Sequence, residues 1–166
     1  MRATSPSFVQ DYELVSTDAP NRSGEQRVQP AETSAGAAFP RTARLLKHAD
    51  FERVYKQGRR HFSSHMTVFY LRQSESNGQS EARTGFTVGR VLGGAVQRNR
   101  IKRRMRDAVR QRRALLQGPV DIVINPKKSV LKVEFPILLE EVTRAFELIA
   151  RKLAENTAAQ TKAVEN

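Results

Sequence analysis

The chain of 166 residues has no cysteine and no tryptophan, and only 17 of its residues are acidic. Without thiols it cannot form disulfides, Cys-ligated zinc sites, iron–sulfur clusters or a cysteine nucleophile. No apolar run approaches the roughly 18 residues that a membrane-spanning helix needs. The N-terminus has no basic segment followed by an apolar stretch, so we expect no secretory signal. The lack of cysteine suits a reducing cytosol, and together with the other two absences it predicts a cytoplasmic protein.

Basic residues dominate the charge. There are 29 Lys and Arg, which gives a net charge of +12 and a pI near 10.8. The excess is concentrated in residues 41–153, which hold 25 basic and 10 acidic residues. Within that range, residues 90–113 hold ten basic residues and one acidic residue. A polyanion is therefore the expected partner, with nucleic acid ahead of an anionic membrane.

The two ends of the chain differ from this basic region. Residues 1–40 have a net charge of −2, hold four of the seven prolines and show no helix or strand period. We predict that they form a disordered N-terminal extension, because they offer little apolar surface to offset the entropy of ordering. Residues 154–166 are expected to form a disordered C-terminal tail. The folded domain is therefore predicted to span residues 41–153.

Hydrophobic spacing within this domain predicts the order helix, three strands, helix, strand, helix, which is typical of an α+β layer with one sheet. The predicted helices are 48–57, 95–116 and a last one that begins near Pro136, and the predicted strands are 59–63, 66–71, 84–88 and 120–124. Gly58 is well placed to end the first helix.

The long helix over residues 95–116 is predicted to have two unlike faces. Its apolar side consists of Ile101, Met105, Ala108 and Val109. The opposite side carries cations and one amide, namely Asn99, Arg103, Arg106 and Arg110. A merely solvated face would normally mix Glu with Lys, whereas Arg predominates here. Because the guanidinium group binds phosphate in a bidentate way, this pattern favours a face that follows a phosphate backbone.

The residues from Gly93 to Arg106 read Gly-Gly-Ala-Val-Gln-Arg-Asn-Arg-Ile-Lys-Arg-Arg-Met-Arg. This run resembles the Arg-Asn-Arg signature of the protein component of bacterial ribonuclease P. Leu45–Gly58 and Gly85–Val88 resemble the same family, and the resemblance covers about 41–153 in the right order. It implies a two-layer αβββαβα sandwich in which one four-stranded sheet packs against helices. It also implies a left-handed βαβ crossover, similar to the second domain of ribosomal protein S5.

The resemblance further implies a function. The chain would be the non-catalytic protein subunit of ribonuclease P. It would bind the catalytic RNA and the 5′ leader of precursor tRNA, and assist endonucleolytic removal of that leader. The chemistry and the Mg²⁺ ions would belong to the RNA, so no catalytic residue and no dedicated metal site is assigned to the protein. No obligate protein partner is evident.

By motif position, the RNA-binding residues implied by the resemblance are Arg98, Asn99, Arg100, Lys102, Arg103, Arg106 and Arg110. The implied leader-binding cleft is formed by Phe51, Tyr55 and Phe86. The sequence departs from the family pattern at Gly94, where the family has Asn, and the side-chain contacts of that Asn are lost. Arg90-Val91 stands where the family has two lysines.

Other interpretations stay open at this point. Phe51 and Val54 have the i, i+3 spacing of ordinary core residues. His61 and His65 suggest a general acid–base pair, but in an extended segment that spacing separates them too far. The carboxylates Asp50, Glu52, Glu140 and Glu141 are expected to be ordinary surface charges. The chief alternative is a structural, ribosomal-type RNA-binding protein without a role in cleavage, and a membrane-binding protein ranks last.

Overall fold

The computed structural model describes residues 39–73 and 80–164. Its elements follow the predicted order, and most of their bounds agree with the prediction to within two residues. The helices are α1 (His48–Gln57), α2 (Ala95–Arg112) and α3 (Phe135–Val164). The strands are β1 (Arg59–Phe62), β2 (Met66–Arg72), β3 (Arg83–Phe86) and β4 (Val120–Pro126). The predicted polar loop between β2 and β3 lies largely outside the described residues.

The four strands form one sheet in the order β1-β2-β4-β3. β2 pairs antiparallel with both β1 and β4, whereas β3 and β4 are parallel neighbours. Because parallel neighbours cannot be joined by a hairpin, the chain crosses from β3 to β4 through α2. The βαβ unit is thus present as predicted, and its left-handedness stays a prediction. The central strand β4 is covered on both faces, which explains its nearly continuous apolar sequence.

Helices cover both faces of the sheet. The larger core lies between the sheet and the pair α2 and α3, where Met66, Ile122 and Phe146 are fully buried. A smaller core lies under α1 and includes Val54 and Val123. The α+β class with one four-stranded sheet is confirmed, and α1 adds a layer on the face opposite the two longer helices.

Gly58 ends α1 for a reason that differs from the expected one. Its φ of −72° is an ordinary extended conformation rather than the left-handed one that favours glycine at a helix end. Its amide donates to the carbonyl of Val54 at 2.9 Å. A Cβ at this position would lie 2.3 Å from that same oxygen. The close approach of the backbone is therefore what requires glycine here.

Both predicted domain boundaries differ from the folded region. Phe39 falls in the predicted N-terminal extension, yet it packs in the larger core with only 6% of its surface exposed. Residues 1–38 lie outside the described residues. At the other end, α3 continues past residue 153 to Val164. The segment 154–164 lacks the apolar stripe that sets the predicted boundary, but four of its residues are Ala, the best helix former.

In the described part of the chain, no helix is long and apolar enough to cross a membrane.

Candidate nucleic-acid interface

The two faces of α2 separate as the sequence predicts. The apolar residues Ile101, Met105, Ala108 and Val109 are all buried against the sheet and α3. Of the predicted RNA-binding residues, Asn99, Arg100, Arg103 and Arg106 are exposed to solvent, whereas Arg98, Lys102 and Arg110 are half-buried. The structure therefore brings the seven predicted residues onto one helix and leaves its outer side open to a ligand.

Some cations of this region are held by the fold instead. Arg104 donates to the backbone carbonyls of Val130, at 2.6 Å, and of Val133. Arg112 donates to the hydroxyl of Thr143 on α3 at 2.9 Å. These contacts fix α2 against α3 and against the turn that leads into α3. Not every cation of the basic run is therefore available to a ligand.

A cation that the sequence analysis did not single out lies beside this face. Arg44 precedes α1, and its Nε and Nη2 donate to the carbonyl of Phe39 at 3.1 and 2.7 Å. Partial burial, together with the nearby charges of Arg44 and Arg103, lowers the pKa of Arg106. Arg44 therefore adds positive charge beside the cationic side of α2, close to Arg106. No sequence pattern marked Arg44, because it lies far from the basic run.

The beginning of α2 is built from two glycines. Gly93 has a φ of +127°, a conformation that disfavours any residue with a side chain. Gly94 is the N-cap residue, and its amide donates to the side-chain oxygen of Gln97 at 3.3 Å. A Cβ at Gly94 would meet no atom within 4 Å. The N-cap therefore supplies no side-chain oxygen to the first amides of the helix, and the space around it is open.

A second surface lies on the sheet face that α1 covers only in part. Tyr55 of α1 is half-buried, and its hydroxyl donates to Asn125 Oδ1 at 2.7 Å. The same hydroxyl lies 2.8 Å from that of Thr87. Its ring meets the edge of Phe69, with ring centres 4.8 Å apart. Tyr55 thus occupies a fixed position at the border between the small core and solvent, where one edge of an aromatic ring can meet a ligand.

The three residues of the predicted leader cleft do not share one surface. Phe51 is buried in the small core, where its ring lies so close to Gly85 that a Cβ there would be 2.5 Å away. Phe86 pairs with Ile124 in the sheet and packs against the larger core on the opposite face. Only Tyr55 borders open surface on the α1 side. Phe51 is therefore a core residue, which is one of the two interpretations that the sequence left open.

Strand β1 adds two residues to this surface, Arg60 and Phe62, that the sequence analysis missed. Phe62 is 65% exposed, and the guanidinium of Arg60 lies 4.9 Å from the centre of its ring. Arg60 is paired with Phe69 and Phe62 with Thr67, so all these side chains lie on the face that carries Tyr55. We call Tyr55, Arg60, Phe62 and Phe69 the aromatic–cation surface. The alternation of Arg60 and Phe62 along β1 was the available signal.

A buried ionic network holds α1 in place beside this surface. Asp121 of β4 is fully buried and accepts hydrogen bonds from Arg53, at 2.9 Å, and twice from Arg83, at 2.8 Å. Asp50 accepts from the same two arginines. The hydrogen bonds to Asp121 raise the pKa of Arg83. The expectation that Asp50 is an ordinary surface charge is therefore wrong, because it links α1 to β3 and β4.

The histidine and glutamate candidates form structural contacts. His65 Nδ1 lies 2.8 Å from the hydroxyl of Ser129, and the His65 amide donates to Glu141 at 2.7 Å. Glu141 also accepts from the hydroxyl of Ser63, so it ties α3 to the turn between β1 and β2. Among the residues that the structure describes, no group of three or more His, Asp or Glu side chains could hold a metal ion.

Comparisons with known proteins agree with this architecture. The model of the family described as Ribonuclease P matches residues 39–150. A ribonuclease P protein component from Desulforapulum autotrophicum is 35% identical over 114 residues, which cover 69% of this chain and 94% of that protein. Another, from Symbiobacterium thermophilum, is 38% identical over 104 residues, which cover 63% of this chain and 88% of that protein.

Solved structures show the same fold. The ribonuclease P protein from Thermotoga maritima superposes with a TM-score of 0.56 at 26% identity, and the match covers 63% of this chain and 94% of that one. The protein from Staphylococcus aureus gives a TM-score of 0.56 at 23% identity, over 64% of this chain and 94% of that one. The matched family model spans the whole sheet, the basic helix and half of α3, and this chain belongs to the ribonuclease P protein family.

Proposed function

We propose that this chain is the protein subunit of ribonuclease P and binds the catalytic RNA through the outer face of α2. One observation carries the proposal: the helix buries its apolar side completely and turns Asn99, Arg100, Arg103 and Arg106 to solvent. A row of guanidinium groups at one-turn spacing repels itself unless an anion binds there. The planar fork of arginine matches the oxygens of a phosphate backbone.

The aromatic–cation surface is the proposed site for the 5′ leader of precursor tRNA. Single-stranded RNA exposes base faces that stack on aromatic rings and phosphates that attract cations. Tyr55, Phe62 and Phe69 supply rings there, and Arg60 supplies a cation beside them. This assignment keeps Tyr55 from the sequence prediction and replaces Phe51 and Phe86 with residues on the open part of the same sheet face.

The proposed division of labour places the chemistry on the RNA. The side chains of the two surfaces bind, stack and neutralise charge, and His65 is already engaged by Ser129 and Glu141. Mg²⁺ would act at the RNA active centre, in the cytoplasm, while the protein positions the precursor for endonucleolytic removal of its leader. A structural RNA-binding protein would need the face of α2 but not the aromatic–cation surface.

A comparison of precursor and mature tRNA tests the proposal. Holoenzyme is assembled from the catalytic RNA and either the wild-type protein or the Phe62→Ala variant, and its affinity for precursor and mature tRNA is compared. Stacking on one ring contributes about 1–3 kcal/mol. We expect Phe62→Ala to lower the affinity for precursor tRNA at least fivefold and to leave the affinity for mature tRNA unchanged. Phe62→Tyr, which keeps a ring, is the control. Equal losses for both tRNAs would refute the leader site.

A further inference from the structure

Two valines at the beginning of α2 project into solvent. Val91, in the 3-10 turn that leads to the helix, is 87% exposed, and Val96, the second residue of α2, is 83% exposed. They are the two most exposed large aliphatic side chains in the described part of the chain. The next one, Ile137 on α3, is 50% exposed. An isolated exposed valine needs no explanation, but these two flank the same turn of the basic region.

Val96 belongs to the cationic side of α2 rather than to its apolar side. The residues three, four and seven positions after it are Asn99, Arg100 and Arg103, so all four side chains form one stripe along the helix. The apolar side, by contrast, begins at Ile101 and is completely buried. Val96 is thus an aliphatic side chain set among groups that bind phosphate.

The space in front of this turn is open. A Cβ added at Gly94, which lies between the two valines, would meet no atom within 4 Å. No bulky N-cap side chain separates Val91 from Val96. A flat group that approaches the N-terminal end of α2 therefore meets no side chain at Gly94, which has Val91 three residues before it and Val96 two residues after it.

The chemistry of RNA limits what an aliphatic group can meet there. Phosphates gain nothing from contact with valine, and along a strand only riboses and bases lie between them. In an A-form duplex the base faces are stacked inside, and the deep major groove is closed to side chains. An unstacked base, however, offers a flat apolar face next to its own phosphates.

We propose that Val91 and Val96 form an apolar platform for one unpaired base of the bound RNA, while the arginines of α2 hold the phosphates around it. The inference rests on the proposed function, because it names what the same helix face selects. The cations alone would bind any RNA backbone. With the platform, α2 binds preferentially at a site in the RNA where one nucleotide is unstacked from the helix.

The test uses isosteric substitutions. Val91→Thr and Val96→Thr, combined in the full-length protein, keep the branched shape but replace a methyl group by a hydroxyl. Affinity is measured for a transcript of the catalytic RNA and for a fully paired RNA duplex over a series of salt concentrations. Since both side chains are exposed, the fold should be unaffected, and thermal unfolding checks this. Ile137→Thr, at the exposed aliphatic residue on α3, is the matched control.

We expect the double variant to bind the catalytic RNA about tenfold more weakly, which corresponds to about 1.4 kcal/mol. Its dependence on salt should be unchanged, because no phosphate contact is lost. Binding to the duplex should equal that of the wild type. Unchanged affinity for the catalytic RNA, or an equal loss on both RNAs, would overturn the platform. If the wild-type protein itself does not prefer the catalytic RNA to the duplex, the proposed function fails as well.

Discussion

Arginine has three different roles within this one small domain. Arg83 is largely buried and donates to Asp121 and Asp50. Arg104 is half-buried and fixes α2 by donating to two backbone carbonyls. Arg103 stands exposed on the outer face of α2. The role depends on what each side chain can reach rather than on residue type, so substitutions at the three sites should act on different properties.

Arg103→Ala should weaken binding to the catalytic RNA without changing protein stability, because the side chain is exposed and Ala is the best helix former. With about six phosphate contacts, the logarithm of affinity should fall with the logarithm of salt at a slope of about −4 to −5. The variant should make that slope less steep by about 1, because one phosphate contact is lost. Arg151→Ala, at an exposed cation on α3, is the control and should leave the slope as it is. An unchanged slope for Arg103→Ala would remove it from the interface.

At the scale of the elements, the first turn of α2 lacks a side-chain cap at its N-cap residue, Gly94. Gly94 has φ and ψ values of −68° and 172°, which any residue adopts, and a Cβ there meets nothing. Gly94→Asn, which places the family's usual residue at the N-cap, should therefore raise the free energy of unfolding by about 0.5–1 kcal/mol. The gain comes from an added side-chain cap and from a less flexible unfolded chain.

Gly93→Asn provides the comparison for this prediction. The φ of Gly93 is +127°, and a Cβ there would lie 1.8 Å from the side-chain oxygen of Gln97. The same substitution one residue earlier should therefore destabilise the protein. Thermal unfolding of both variants measures the difference. A lower midpoint for Gly94→Asn than for the wild type would show that the helix does not begin at this glycine.

The position of α1 depends on buried charge. Asp121→Asn keeps the shape of the side chain but leaves Arg53 and Arg83 facing a neutral amide. Removing one partner of a buried ionic network should cost about 3 kcal/mol or more. Asp107→Asn removes a carboxylate that pairs with Arg110 on the surface, and its cost should stay below about 1 kcal/mol. Urea denaturation compares the two variants, and equal losses would contradict the structural role of the network.

The sequence predicted the helices and strands better than it predicted which face of the sheet each strand residue points to. The two sides of α2 follow from local spacing, and Ile101 and Met105 are buried where the period places them. Phe86 was placed in the predicted leader cleft together with Phe51 and Tyr55, yet its position beside Ile124 points it to the other core. Sheet faces depend on the register between distant strands, and a single strand of four residues does not reveal it.

The buried network escaped prediction for a related reason. Asp121 stands in the short apolar strand β4, where an acidic residue normally argues against burial. It is buried because Arg53 and Arg83 arrive from α1 and β3. Since those partners lie 68 and 38 residues away along the chain, only the folded topology brings them together. Arg44 was missed in the same way.

At the scale of the whole molecule, charge and apolar surface are divided between opposite sides of the same elements. Ten of the 29 basic residues fall within residues 90–113, around a helix whose other side closes the larger core. The sheet face that α1 partly covers carries the exposed ring of Phe62, the half-buried ring of Phe69 and the cation of Arg60. In the proposed function, the first surface binds the catalytic RNA and the second binds the single-stranded leader. A purely structural RNA-binding protein would need only the first surface, so the second is the one to test.

The most decisive measurement is the cleavage of a precursor tRNA at low Mg²⁺. The rate is measured with the catalytic RNA alone, with the protein alone and with both together. We expect little cleavage by the RNA alone, none by the protein alone and rapid removal of the leader by the mixture. Cleavage by the protein alone would contradict the placement of the chemistry on the RNA. A mixture that assembles but cleaves no faster than the RNA alone would contradict the role in leader removal.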